Sequence, residues 1–249
     1  NCATCRSRDP RDRRMRTSAL VEVNGSNILI DCGPDFRQQM LNYHDGDLDA
    51  LLVTHHHYDH LGGTRALVEL YGAKTYLGEG DADYADGTRD LTWAKELGYK
   101  YEEQFTPDVL VKDGDILNIG GIEFYFQGCP GHTEGAMNIY FYADGELGKK
   151  RCAMFGGAGM NSLTLDFLDS YSLPHTLRAD FAKVLEIADK EHVDVHLGNH
   201  VWSSRHTEKL AKQQAEGGNP FIDENCWHEF IAKTKKSFES MVAKEGSLL

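Results

Sequence analysis

The chain of 249 residues has no apolar run approaching the roughly 20 residues that a membrane span needs, so no membrane partner is expected. Positive charge is scarce: 26 Lys and Arg stand against 39 Asp and Glu, a net charge of −13. That balance argues against a nucleic-acid binder, because phosphate contacts need a positive field. The acid is spread along the chain and reads as a solvated, soluble surface. Cysteines number six, and only Cys2 and Cys5 lie close together, so no disulfide framework is expected. Cys32, Cys129, Cys152 and Cys226 read as buried apolar side chains, and a reducing compartment fits them. No signal-peptide pattern stands at Asn1, so a cytoplasmic location is the expectation. Prolines number six, and neither a repeat nor a Pro-, Gly- or Ser-rich linker marks a boundary. The expectation is one domain over 1–249, with the arginine-rich residues 1–16 as a solvated arm.

From Ser18 the pattern turns to strands. Residues 19–23 and 27–30 flank Asn24-Gly25, the dipeptide suited to a two-residue hairpin because both central positions need positive φ. Apolar spacing predicts helices over 36–43, 64–71 and 91–97, and strands over 51–53 and 74–77. Further strands are expected over 109–111, 116–119, 122–126, 137–142 and 151–155. A helix over 177–190, a strand over 193–197 and a helix over 226–243 complete the pattern. Strands concentrated in two halves, with helices between, suit an α/β fold of two packed sheets with helices outside.

The most informative run is Thr-His-His-His-Tyr-Asp-His at 54–60, directly after the apolar Leu51-Leu52-Val53. A buried strand ends there and presents His55, His57, Asp59 and His60 on a tight loop. Imidazole nitrogens and a carboxylate oxygen are donors that suit Zn²⁺. So many donors on so short a loop exceed what one ion easily uses, which favours two metals sharing a bridging hydroxide. His56, between two of them, reads as turned away into packing or a supporting contact. Two later strand-end loops supply candidates to complete the set: His132, in Gly131-His132-Thr133-Glu134-Gly135, and His200, in Leu197-Gly198-Asn199-His200. Tyr58 and Asn199 adjoin the donors and are candidates to contact substrate or an oxyanion, with plain packing as the alternative. His196, alternating with Val195 and Leu197, reads as core; His44 and His206 read as surface residues, His192 and His228 as helix-borne. His175, after Pro174, is a weaker candidate for the pocket.

On these residues the chain resembles the metallo-β-lactamase superfamily. The resemblance implies an αβ/βα four-layer sandwich, two packed mixed sheets with outer helices, holding one or two metals at their shared edge. It implies His55, His57 and His132 as ligands of one metal and Asp59, His60 and His200 as ligands of the other. Asp31, in Leu29-Ile30-Asp31-Cys32-Gly33, matches the family's early Asp, which orients the histidine loop from behind. Zn²⁺ is the implied cofactor, two ions, with Mn²⁺ or Fe²⁺ accepted by the same donors.

The two ends resemble different branches of that superfamily. Residues 2–40, with Asp31-Cys32-Gly33-Pro34-Asp35-Phe36-Arg37, resemble the cyclic-phosphodiesterase branch. From about residue 70 the chain resembles the third metallo-β-lactamase subclass, as a hybrid of two lineages would. Where the phosphodiesterases place a bridging Asp, this chain has Gly156-Gly157-Ala158-Gly159. The implied activity is hydrolysis of a small molecule by a metal-activated hydroxide that Asp59 orients. An amide or ester ring, β-lactam-like or lactone, is the expected substrate. The alternatives are a phosphodiesterase of the cyclic-nucleotide or phosphonate-pathway type, or a metal-binding fold with little turnover.

Overall fold

Asn24 and Gly25 take φ of 51° and 80°, and Val23 pairs with Ser26, so the chain turns in the two-residue hairpin that the dipeptide favours. This computed structural model describes residues 15–43 and 46–246; Cys2, Cys5, His44 and most of the arginine-rich arm lie outside the described residues. The hairpin joins β1 (Ala19–Val23) to β2 (Ser26–Ile30). Parallel strands β3 (Ala50–Val53), β4 (Lys74–Gly78) and β5 (Val109–Val111) extend the sheet in the order β1-β2-β3-β4-β5. All four residues of β3 are buried, as a strand covered on both faces requires.

The second sheet is a meander of β6 (Ile116–Ile119), β7 (Ile122–Gly128), β8 (Met137–Gly145) and β9 (Gly148–Met154). β10 (Val195–Leu197) adds in parallel to β9, giving the order β10-β9-β8-β7-β6. Helices α1 (Phe36–Tyr43), α2 (Tyr58–Leu61), α3 (Thr64–Tyr71) and α4 (Ala82–Ala85) follow strands of the first half. α5 (Leu165–Ser170), α6 (Thr176–Ala188), α7 (His206–Glu216) and α8 (Cys226–Glu245) follow in the second.

Alternation along the strands divides the apolar residues among three cores. Ile28, Ile30, Leu52 and Val111 meet Phe124, Phe126, Ile139 and Met154 between the sheets. Leu29, Leu51, Val53 and Leu77 turn the other way, under Phe36, Met40, Leu61 and Leu67 of the helices. Tyr140, Ala153 and Phe155 pack beneath Phe181, Leu185, Trp227 and Phe230. Helix, sheet, sheet and helix therefore stack as the expected four layers. The four described cysteines are free and buried, as expected. Among the described residues no helix is long and apolar enough to cross a membrane.

Three expectations need correction. Residues 91–97 form turns, not a helix: Trp93 sits at φ 62°, and the Thr92 carbonyl accepts a hydrogen bond from the Tyr58 N–H. The strand expected over 193–197 begins only at Val195, because Asp194 turns its carboxylate back onto the Arg151 N–H. α7 was not anticipated and carries His206 at its start; its one buried side chain is Lys209, whose Nζ lies 3.4 Å from Asp223 Oδ2. His192 lies in the loop after α6 rather than on a helix.

Candidate metal centre

The candidate centre forms where β3 ends, with strands β2 and β4 ending on either side of it. His57 is extended at φ −67° and ψ 143° and starts α2, which carries Asp59 and His60. Two groups of ligand-type side chains result: His55, His57 and His132, and Asp59, His60 and His200, with donor atoms within 4.8 Å of one another in each. The groups adjoin, since the rings of His55 and His60 are 4.1 Å apart centre to centre. His55, His57 and His60 are buried; His132, Asp59 and His200 are partly open.

The hydrogen bonds behind the rings decide which nitrogen faces the centre. Asp31 is wholly buried in the left-handed region at φ 62°, a conformation that a short polar side chain tolerates better than most. Its Oδ1 accepts the Thr54 N–H at 2.7 Å, and its Oδ2 accepts the Thr54 hydroxyl at 2.8 Å. His60 Nδ1 also lies 2.8 Å from Oδ2 and, facing a carboxylate, is assigned as the donor. The Thr54 hydroxyl has donated its only proton to Asp31, so at 3.0 Å it accepts from His55 Nδ1–H. His132 Nδ1 donates to the Gly159 carbonyl at 3.0 Å. Each of these rings therefore carries its proton on Nδ1 and leaves Nε2 as a bare lone pair. Among the described residues, His55 Nε2 and His60 Nε2 are buried without a hydrogen-bond partner, which a cation would supply.

Electrostatics agree with ligation at five of the six groups, and His60 is the exception. Burial, and then the neighbouring histidines, hold His55 and His57 well below the ordinary imidazole range. Burial lowers His132 to about 4 and lowers His200 as well. Burial would raise Asp59, but His60 and His200 outweigh it and hold the carboxyl below its usual range. Burial opposes charge on His60, yet Asp31 and then Asp59 raise it overall, so a cation at its Nε2 competes with a proton there. Neutral imidazoles and an ionised carboxylate are the forms in which these groups bind metal.

Gly156-Gly157-Ala158-Gly159 makes room for His132 instead of offering a carboxylate. A Cβ on Gly157 would stand 2.3 Å from His132 Cδ2, and one on Gly159 would stand 2.5 Å from Cε1. The other candidates are placed elsewhere. Tyr58 packs its ring 5.0 Å from that of Tyr99 and lines an apolar groove with Phe36, Leu67 and Tyr71, a groove that includes none of the six ligand-type residues. Asn199 donates to the Phe155 carbonyl at 2.9 Å and accepts from Ser203 Oγ at 3.1 Å, so its amide holds the His200 loop to the end of β9. His175 pairs with Asp169 at the surface. His56 stacks on Tyr84 at 3.9 Å, and its backbone N–H donates to Asp81. Asp81 is fully buried, and the sequence reading passed over it.

The sequence pattern of the metallo-β-lactamase superfamily matches residues 11–147. The chain belongs to the metallo-β-lactamase superfamily. A hydroxyacylglutathione hydrolase of Pelagibacter ubique is 31% identical over 130 residues, 50% of this chain and 46% of that protein. An octanoyltransferase of Porphyromonas gingivalis is 43% identical over 105 residues, 42% of this chain but 17% of that protein. The chain thus spans about half or less of the length of these two relatives. The native metallo-β-lactamase of Legionella gormanii overlays with a TM-score of 0.79 at 20% identity, covering 92% of this chain and 90% of that one. A subclass B3 metallo-β-lactamase of Bradyrhizobium japonicum gives 0.76 at 20% identity, covering 93% and 89%. The superfamily's fold therefore runs through the described part of the early segment and through the later one, whichever branch each resembles.

Proposed function

We propose that this protein is a metal-dependent hydrolase that opens an amide or ester bond in a small molecule, ring amides and lactones foremost. The observation that carries the reading is the pair of adjoining ligand-type groups, each with one buried Nε2, that of His55 and that of His60, lacking a hydrogen-bond partner among the described residues. In this reading His55, His57 and His132 hold one divalent cation, and Asp59, His60 and His200 hold a second. Five imidazoles and one carboxylate favour Zn²⁺, with Mn²⁺ and Fe²⁺ compatible. When bound, such ions lower the pKa of a water and polarise the bond to be cleaved.

The chain's own residues prepare the ground for that chemistry. Asp31 and the Gly159 carbonyl hold protons on Nδ1 of His60 and His132, keeping the opposite nitrogens free. Asp59 stays ionised at neutral pH and is an acceptor able to orient an attacking water. Trp93 lies 5.8 Å from the His57 ring, and Trp202 stacks on His200 at 5.6 Å, so aromatic surface flanks both groups. That surface suits the carbon skeleton of an acyl compound. Two further observations support acyl over phosphodiester chemistry: glycines stand where a bridging carboxylate would, and the relatives include hydroxyacylglutathione hydrolases.

The test is turnover by Zn²⁺-loaded protein of nitrocefin, a lactone, a hydroxyacyl thioester and bis-p-nitrophenyl phosphate. Hydrolysis of one or more of the first three, lost on chelation, is expected. Turnover of the phosphodiester alone would sink the acyl reading, and two bound metals without turnover of any substrate would leave a binding protein.

A further inference from the structure

The loop carrying His55 and His57 and the loop carrying His132 meet through a side chain that belongs to neither. Asp81 lies just beyond β4, wholly buried. Its Oδ2 accepts the His56 N–H at 2.9 Å and the Thr133 hydroxyl at 2.8 Å, and its Oδ1 accepts the Gly135 N–H at 2.7 Å. His56 Nδ1 stands 3.0 Å from the same Oδ1. His56 lies between two of the candidate ligands, and Thr133 directly follows the third. Backbones are in direct contact here: a Cβ on Gly78 would stand 1.9 Å from the Gly135 carbonyl oxygen, and one on Gly135 would stand 2.3 Å from the Asp81 nitrogen. The Asp59–His60–His200 group has other supports, Asp31 behind His60 and Asn199 beside His200.

We propose that Asp81 is the positioning residue of the three-histidine group, fixing the separation of His55 and His57 from His132 and thereby that group's affinity for a divalent cation. The inference rests on reading the two groups as cation sites. A carboxylate is required because its two oxygens face two backbone N–H groups, His56 on one side and Gly135 on the other. An asparagine amide, whichever way it turns, sets an N–H against one of them, leaving a buried donor unpaired and the two loops free to separate. The role is directional, since it acts on one group and not on its neighbour.

The experiment measures Zn²⁺ affinity by competition with a chelator in two backgrounds, His200→Ala, where only the three-histidine group is whole, and His132→Ala, where only the other is. Asp81→Asn is expected to weaken binding about 10- to 100-fold in the first background and to leave the second unchanged, the usual scale for a residue that orients ligands. Unchanged affinity in both, or an equal loss in both, overturns the inference, the latter because general loosening explains it. If Asp81→Asn does not fold, judged by circular dichroism and thermal unfolding, Thr133→Val decides instead. It keeps shape and removes one hydrogen bond, with an expected loss of about 3- to 10-fold in the His200→Ala background only; no loss there overturns the inference. Failure of the metal-centre reading is distinct, because unmutated protein would then bind no Zn²⁺ at all.

Discussion

Asp31→Asn tests whether proton placement, rather than charge or shape alone, prepares the centre. Asparagine is isosteric and tolerates the φ of 62° at this position, so the backbone has no reason to move. Turned one way, its carbonyl accepts the Thr54 N–H while its NH₂ faces the Thr54 hydroxyl and His60 Nδ1. The hydroxyl then accepts from the amide and donates to His55 Nδ1, and His60 Nδ1 becomes an acceptor. Both rings shift their proton to Nε2, the nitrogen needed for the cation. Turned the other way, the amide preserves both tautomers but sets an N–H against the buried Thr54 N–H. Metal binding selects the second arrangement and carries its cost, about 1–3 kcal/mol for one buried donor left unpaired. At 1.4 kcal/mol per decade that is about 5- to 150-fold in affinity. The loss falls on both groups, because His55 belongs to one and His60 to the other. The assay is Zn²⁺ affinity by chelator competition, paired with long-range ¹⁵N–¹H NMR of the imidazoles in metal-free protein. Asp31→Asn with His55 and His60 still protonated on Nδ1 and with unchanged affinity would refute the argument.

Three further outcomes follow from the geometry. Asp59→Ala should abolish hydrolysis while one equivalent of Zn²⁺ remains at the three-histidine group; loss of both ions by elemental analysis would contradict the division of ligands. Gly157→Ala puts a Cβ 2.3 Å from the His132 ring and should weaken Zn²⁺ binding at least about 10-fold, whereas Gly145→Ala, with nothing within 4 Å, should bind normally; equal affinities would refute the packing argument. Burial, with Lys209 and His206 nearby, lowers His196 from 6.5 to about 3, so the unfolded chain takes up a proton there that the folded one refuses. Stability from this residue is complete above pH 6.5 and is lost as pH falls toward 3, by roughly 5 kcal/mol in all. Urea unfolding of His196→Leu should show a correspondingly shallower acid dependence, and an unchanged slope would count against the assignment.

Much of the candidate centre was legible because its residues cluster in sequence. His55, His57, Asp59 and His60 share one loop, and His132 and His200 each follow an apolar strand, one and two residues past a glycine. The hairpin at Asn24-Gly25 was legible for a local reason, the positive φ of both residues. The helix over 91–97 failed for a non-local one. Leu91, Ala94 and Leu97 have helical spacing, but Trp93 turns toward His57 and stacks 5.9 Å from Phe167, contacts that no local pattern encodes. α7 escaped notice because its buried residue is Lys209, a type that sequence patterns assign to solvent. Asp81 was invisible for the same kind of reason. In Gly-Glu-Gly-Asp-Ala-Asp it is one acid among several, and only the approach of the Gly135 backbone distinguishes it.

The placement of the two buried carboxylates follows from strand order. β2, β3 and β4 are adjacent and parallel, so their C-terminal ends lie side by side, the location where open α/β sheets build their sites. β3 alone ends in the histidine run, and its neighbours end in Asp31 and, three residues past Gly78, Asp81. One carboxylate reaches the loop from each side and performs a different task. Asp31 takes donors from Thr54 and His60 and thereby governs which nitrogen is bare. Asp81 takes backbone donors from His56 and Gly135 and so governs how far apart the ligand loops stand. Exchanging their environments would not exchange their roles, since only Asp31 contacts a ring that completes a ligand group. Asn at either position should therefore impair metal binding for separable reasons: tautomers shift in the first case with loop spacing intact, and loop spacing relaxes in the second with His55 and His60 still protonated on Nδ1. The double variant should lose affinity at the three-histidine group close to additively, because the two carboxylates share no hydrogen-bond partner. A coupling larger than about 0.5 kcal/mol would show that proton placement and loop spacing are one mechanism instead of two.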